Sequence, residues 1–141
     1  MTPAEALVRF RRFYDEFSES WIARLEEVYT PGFAFRDPFH AIHGDYEALR
    51  GYFHRVLTAL AETKFITEDS AIGSDGCYVR WRWEWRRRAR DPRRVVPGVT
   101  HLRLAADGRV AEHTDLFDAA EGFYETLPVI GGALRAIKRR L

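Results

Sequence analysis

Apolar side chains recur along this chain with two different periods, and the change from one to the other comes just after residue 60. Before it, Leu7, Phe10, Phe13, Tyr14 and Phe17 stand three or four residues apart, the spacing that lines one face of a helix. Thr2-Pro3-Ala4-Glu5 supplies a capping box with proline at the first helical position, so the helix starts there. A second helix begins at Ser18 or Ser20, carries Trp21, Ile22, Leu25 and Val28 on one face, and is stopped by Thr30-Pro31-Gly32. Phe33 to Asp37 alternates as a short strand ended by Pro38. Tyr46, Leu49, Phe53, Val56, Leu57 and Leu60 then predict a third helix from about residue 45 to residue 60.

Beyond it the period falls to two. Asp75-Gly76 and Asp107-Gly108 are strong hairpin signals, and Asp91-Pro92 marks a looser turn between them. Four consecutive antiparallel strands are predicted, roughly 64–73, 77–89, 94–105 and 109–118. Asp118 can cap a short helix that ends before Pro128. Ile130, Leu134, Ile137 and Leu141 form a narrow apolar stripe on a last basic helix, whose first turn Gly131-Gly132 weakens. Helices first and strands afterwards is an α+β arrangement, with the helices covering one face of a curved sheet.

At 141 residues the chain is expected to be a single domain, 1–141, with 118–141 as a C-terminal helical extension. An apolar fraction of 46% with 10 Phe, 6 Tyr and 4 Trp excludes a disordered polypeptide. Cys77 is alone, which excludes an intrachain disulfide and a thiolate zinc site and points to a reducing compartment. Charges run through the first 17 residues in place of the unbroken apolar core of a secretory signal, so a cytoplasmic protein with no membrane span is expected. The net charge of +1 hides an asymmetry: residues 80–94 carry eight Arg against Glu84 and Asp91, and residues 135–141 carry four basic residues and no acid.

Alternation sorts the strands into faces. A two-residue turn at Asp107-Gly108 would set Arg103 opposite Glu112, Leu102 opposite His113 and Thr100 opposite Asp115. Arg103 and Glu112 suit solvent, so Thr100, Leu102, Leu104, Ala111, His113, Asp115 and Phe117 turn inward. On the preceding strand Cys77, Val79, Trp81, Trp83 and Trp85 share the inward face, and Arg80, Arg82, Glu84 and Arg86 face out. Asp37 alternates with Phe33 and Phe35 and also points inward. Two carboxylates and an imidazole in an aromatic interior are costly unless paired, hydrated or used. One reading is a His113–Asp115 pair satisfied beside buried water; the other is the polar end of an apolar pocket equipped for proton transfer.

Phe35-Arg36-Asp37-Pro38-Phe39, Ile42-His43-Gly44 and Asp107-Gly108-Arg109-Val110, in this order of helices and strands, resemble the nuclear transport factor 2-like superfamily, and within it the SnoaL-like group. The resemblance implies a cone-shaped curved antiparallel sheet wrapped around N-terminal helices, a ligand cavity at the wide end, and a homodimer through the sheet's outer face. Asp37 matches the position of the catalytic aspartate of the ketosteroid isomerases in the same Asp-Pro-Phe context. Counting back from that motif places Phe13 where those isomerases carry a tyrosine, with Tyr14 rotated about 100° away. Thr100 stands where they carry a second acid. Steroid isomerisation by their mechanism is therefore not expected, whereas inward His113 and Asp115 resemble the acid/base side chains of SnoaL-like cyclases and dehydratases.

The expected catalytic set is Asp37 as general base or acid, His113 as proton shuttle or hydrogen-bond partner of the substrate oxygen, and Asp115 as the group that orients His113. The expected substrate-contacting set is Phe35, Tyr52, Trp81, Trp83, Thr100, Leu102 and Phe117. The ligand is a small, largely apolar molecule with a carbonyl or hydroxyl group, handled without a cofactor and without a metal. A non-catalytic ligand-binding or protein-association module is the alternative. Trp and Arg between residues 80 and 94 lie on opposite strand faces, so specific nucleic-acid binding is not expected, and the Arg-rich face is read as meeting acids of a second subunit. His40 and His43 are read as loop residues rather than metal ligands, His54 and His101 as surface residues, and Cys77 as a small buried hydrophobe.

Overall fold

Pro3–Asp15 forms α1, and Thr2 and Glu5 close the capping box reciprocally, Thr2 N to Glu5 Oε2 at 2.7 Å and Glu5 N to Thr2 Oγ1 at 3.2 Å. The computed structural model describes residues 1–141. Phe10, Phe13 and Tyr14 are the buried heart of α1. The single helix expected after Ser18 is two short ones, α2 (Glu19–Ile22) and α3 (Leu25–Val28). Ala23 and Arg24 separate them, and the Arg24 guanidinium settles 4.3 Å from the Trp21 ring centroid. The chain then turns straight into β1 (Tyr29–Arg36), four residues earlier than the alternation predicts. Thr30-Pro31-Gly32 therefore lies inside a strand, where Gly32 at φ +76° makes an irregularity between two paired segments.

A three-residue strand, β2 (Ala41–His43), which the sequence pattern does not announce, pairs antiparallel with β1. Asp45 caps α4 (Tyr46–Thr58). The four strands read from the alternation are present as β3 (Glu62–Gly73), β4 (Gly76–Arg86), β5 (Arg94–Leu104) and β6 (Val110–Phe117). They complete a six-stranded, curved and unclosed sheet in the order β2-β1-β6-β5-β4-β3, an α+β fold with helices packed against the sheet. Its pairs are antiparallel except β1 with β6, which run parallel.

The expected β5–β6 register is present: Arg103 with Glu112, Leu102 with His113, Thr100 with Asp115. It holds although a bulge shifts the pairing next to the turn, setting Leu104 opposite Val110. That extra residue reverses one assignment: Val110, not Ala111, is the buried position. Cys77, Val79, Trp81, Trp83 and Trp85 all face the core. On the outer face acids of this same chain meet the arginines, Arg86 and Arg93 at 2.6 and 2.7 Å from Glu62, and Arg82 near Glu68 and Glu84.

Asp118 caps α5 (Ala119–Gly122), a 3-10 turn follows at Tyr124–Thr126, and α6 (Ile130–Arg139) ends the chain. Between them Pro128-Val129-Ile130 makes a γ-turn, Ile130 N to Pro128 O at 2.7 Å with Val129 at φ 67°. No helix is long and apolar enough to cross a membrane.

Candidate functional site

Where the curved sheet stands away from α1 and α4, a solvent-connected cavity of about 230 Å³ is left unfilled. Its wall is aromatic and aliphatic, with Phe35, Phe53, Phe65, Trp81, Trp83 and Phe117 prominent, and its polar groups are few: Tyr14, Asp37, Tyr52, Arg55 and Asp115. One backbone feature shapes the floor. A Cβ placed on Gly98 would lie 2.3–2.7 Å from three carbons of the Trp81 ring. Only glycine lets the indole lie flat across β5 and aim its Nε1–H at Thr100 Oγ1, 2.7 Å away.

Asp37 follows the end of β1. Its Oδ1 accepts the backbone N–H groups of Phe39 and His40 at 2.8 and 2.7 Å, and its own N–H donates to His40 O at 3.0 Å. This Asx-type turn fixes the carboxylate at the strand end. Oδ2 accepts the Tyr52 hydroxyl from α4. The His40 ring covers Tyr52 with centroids 4.2 Å apart.

Asp115 sits on β6 inside a larger network. Its Oδ1 accepts from Thr100 Oγ1 at 2.5 Å and lies 2.8 Å from His113 Nε2; Oδ2 accepts from the Tyr14 hydroxyl at 3.4 Å. Tyr14 also stands 3.3 Å from His113 Nε2, and the Tyr29 hydroxyl stands 2.8 Å from His113 Nδ1. The carboxylate can only accept, so Nε2 carries a proton toward it, and the Tyr29 hydroxyl completes the contacts of the ring at Nδ1. The donors thus converge on Asp115, with Trp81 reinforcing Thr100 from behind.

Three phenols are held in their neutral form. Burial raises the Tyr14 and Tyr29 hydroxyls well above the ordinary phenol value, and the Asp115 charge raises them further. Burial also raises Tyr52, aided by the Asp37 charge. Tyr14 responds to Asp37 as well as Asp115, and Tyr52 to Asp115 as well as Asp37, so the two carboxylate–phenol pairs act on one another across the cavity.

Of the ten residues expected from sequence, Asp37, Asp115, Phe35, Tyr52, Trp81, Trp83 and Phe117 line the cavity. His113, Thr100 and Leu102 do not. Each is fully buried, and Leu102 pairs with His113 toward the filled end of the sheet. His113 therefore supports Asp115 from behind instead of facing a ligand, the reverse of the orientation expected. The residue missed is Tyr14. A helical step of about 100° from Phe13 predicts that it turns away, yet Phe13 fills the core and Tyr14 carries its hydroxyl to the cavity wall. His40 and His43 are exposed, and no group of three or more His, Cys, Asp or Glu is arranged to hold a metal ion. His54 is exposed and bonded to Glu19 at 2.6 Å.

Residues 10–113 match the family model described as a SnoaL-like domain. No curated protein sequence matches the chain. Among solved structures, a protein from Jannaschia sp. CCS1 described as a SnoaL-like polyketide cyclase is similar at 22% identity and TM-score 0.67, covering 84% of this chain and 87% of its own. An NTF2-like protein of unknown function from Burkholderia pseudomallei gives 17% identity and TM-score 0.70 over 86% and 95% of the two chains. TerC co-crystallised with polyporic acid gives 16% identity and TM-score 0.68 over 85% and 95%. At these identities the likeness concerns the fold.

Proposed function

This chain belongs to the SnoaL-like domain family, and from that premise we propose that it is an acid/base enzyme of the isomerase, cyclase or dehydratase kind. Its substrate is a small apolar molecule with a carbonyl or hydroxyl group, and the chemistry needs no cofactor. The observation that carries this reading is that two carboxylates, each hydrogen-bonded to a buried neutral phenol, face one apolar cavity. About 230 Å³ lies below the roughly 300–1,000 Å³ usual for drug-sized ligands, which favours a compound of one or two rings.

In this reading Asp37 takes a proton from the carbon next to the substrate carbonyl. The electron pair passes to the carbonyl oxygen, toward which Tyr14 turns its single phenol proton away from Asp115. Asp115, held by Thr100 and His113, holds Tyr14 in place until substrate arrives. The intermediate then regains the proton at another carbon, expels a neighbouring hydroxyl that takes the proton from Asp37 and leaves as water, or attacks an internal carbonyl whose oxygen takes the proton, which are isomerisation, dehydration and cyclisation respectively. Phe35, Trp81, Trp83 and Phe117 exclude water from the reacting carbon.

The test uses 2-tetralone, a bicyclic ketone with exchangeable protons beside its carbonyl. NMR follows their replacement by deuterium, and quenching of tryptophan fluorescence follows binding. Asp37→Asn keeps the amide oxygen that receives Phe39 and His40, so it keeps the turn. It should retain binding and lose about a hundredfold or more in exchange rate. A wild-type rate no better than an equal concentration of acetate, or an unaffected variant, overturns the proposal.

A further inference from the structure

The last helix is docked with its apolar side outward. On α6 a step of about 100° per residue gathers Ile130, Ala133, Leu134 and Ile137, with Leu141 beyond, into a wedge about 100° wide. This is the stripe that an amphipathic helix ordinarily buries. Here Ile130 and Ile137 are 53% and 57% exposed, and Leu141 and the preceding Val129 are almost bare. The helix is held by its other side. Gly131 packs so closely that a Cβ there would stand 2.1 Å from Glu125 O, Arg135 donates to that same carbonyl at 2.5 Å, and Lys138 reaches Glu125 Oε2 at 3.2 Å. Leu134 is half-buried, and nothing in the fold covers the rest of the apolar stripe.

Its borders are basic. Lys138 and Arg140 border it on its two sides, Arg135 and Arg139 lie on the remaining face, the chain has no acid after Glu125, and neither Arg139 nor Arg140 is in an ion pair. A face with apolar residues at its centre and cations at its edges is complementary to a lipid surface that presents acyl chains beneath anionic headgroups. A second copy fits less well, because a two-fold contact through the stripe would crowd the Lys138 and Arg140 that border it against the same cations of the other copy. We propose that α6 docks this protein on an anionic lipid surface. The helix lies in the interface and does not span it. The same segment supplies Phe123 to the cavity wall, and Phe123 and Tyr124 pack around Phe39. This inference does not depend on the acid/base reading.

The test is co-sedimentation of the full chain with phosphatidylcholine vesicles, with and without phosphatidylglycerol, at low and high salt. Binding is expected on the anionic vesicles only, and to weaken with salt. Ile137→Glu places a charge in the exposed stripe and should abolish it. Arg139→Gln with Arg140→Gln should weaken it at least about fivefold, the share of one basic residue near such a surface, because Arg140 borders the stripe and Arg139 faces away from it. All three positions are exposed, so both variants should keep the wild-type circular dichroism spectrum. The proposal is overturned by equal binding to neutral vesicles, by no binding, or by binding that ignores both variants. It is also overturned if light scattering shows a dimer that Ile137→Glu dissolves while vesicles stay unbound, which would assign the stripe to a second copy.

Discussion

Raising the pH tests the site through its phenols. Tyr14, Tyr29 and Tyr52 all have native-state values raised above the ordinary phenol value near 10. A group whose folded value lies above its unfolded value contributes stability that is complete below the unfolded value and is lost as pH rises past it. Above pH 10 the unfolded chain therefore releases these three protons while the native chain keeps them, and Tyr46, raised by its lesser burial, adds a smaller part. Each released proton tilts the balance by about 1.4 kcal/mol per pH unit, so three remove about 4 kcal/mol by pH 11 and about 8 kcal/mol by pH 12. Against a total of about 5–15 kcal/mol for a domain, the loss becomes decisive between about pH 11 and pH 13. Tyrosinate absorbance near 295 nm and near-ultraviolet circular dichroism, read on the same samples, provide the assay. Absorbance worth three tyrosinates should appear in one step, coincident with the loss of aromatic dichroism. Tyr29→Phe should reduce the slope of stability against pH by one third. If the absorbance of all six tyrosines climbs gradually from pH 10 while the dichroism stays native, hydroxide reaches these phenols in the folded protein. Their role as neutral donors beside Asp37 and Asp115 would then be refuted.

Gly98→Ala should destabilise the protein by about 2–5 kcal/mol, combining overpacking against Trp81 with loss of its bond to Thr100; an unmoved urea midpoint would show that the ring has room to yield. Glu62, held below its ordinary value first by its hydrogen bond from Arg86 and also by Arg93, supports the fold above the unfolded glutamate value near 4.5, and that support is lost as pH falls through the lower native one. Glu62→Gln should thus flatten stability against pH below about 4.5 and leave its shape unchanged on the alkaline side.

Period-two alternation says which side of a strand faces inward, and on β4, β5 and β6 that was enough to place Trp81, Trp83, Asp115 and Phe117 correctly. It says nothing about depth along the strand. Leu102 and His113 have the same inward sense as Phe117, but they meet the filled end of the sheet while Phe117 meets the cavity. Asp37 was legible because an Asp-Pro step after an alternating run marks a strand end, where a carboxylate can be anchored by backbone N–H groups. Tyr14 was not, because on a helix buried over most of its circumference a neighbour of a core residue can also be inward. The parallel pairing of β1 with β6 leaves no local trace. Its partners are too distant for any turn signal, and β2 is too short to alternate.

That pairing also fixes a sequence of events. Tyr14 and Tyr29 reach His113 and Asp115 across 84 to 101 positions of chain, and β1, with β2 at its outer edge, joins the rest of the sheet only when β6 has been laid beside it. Contacts this distant form late, after the entropy of closing a long loop has been met. The hairpins of β3, β4 and β5 can assemble without them. A growing chain that has not yet reached residue 110 holds α1 to α4 and the strands β1 to β5 but lacks His113 and Asp115, so every hydrogen-bonded pair around Asp115 is still to be made. Refolding followed by tryptophan fluorescence should accordingly run ahead of refolding followed by ligand capture, because the cavity acquires its chemistry with the last strand.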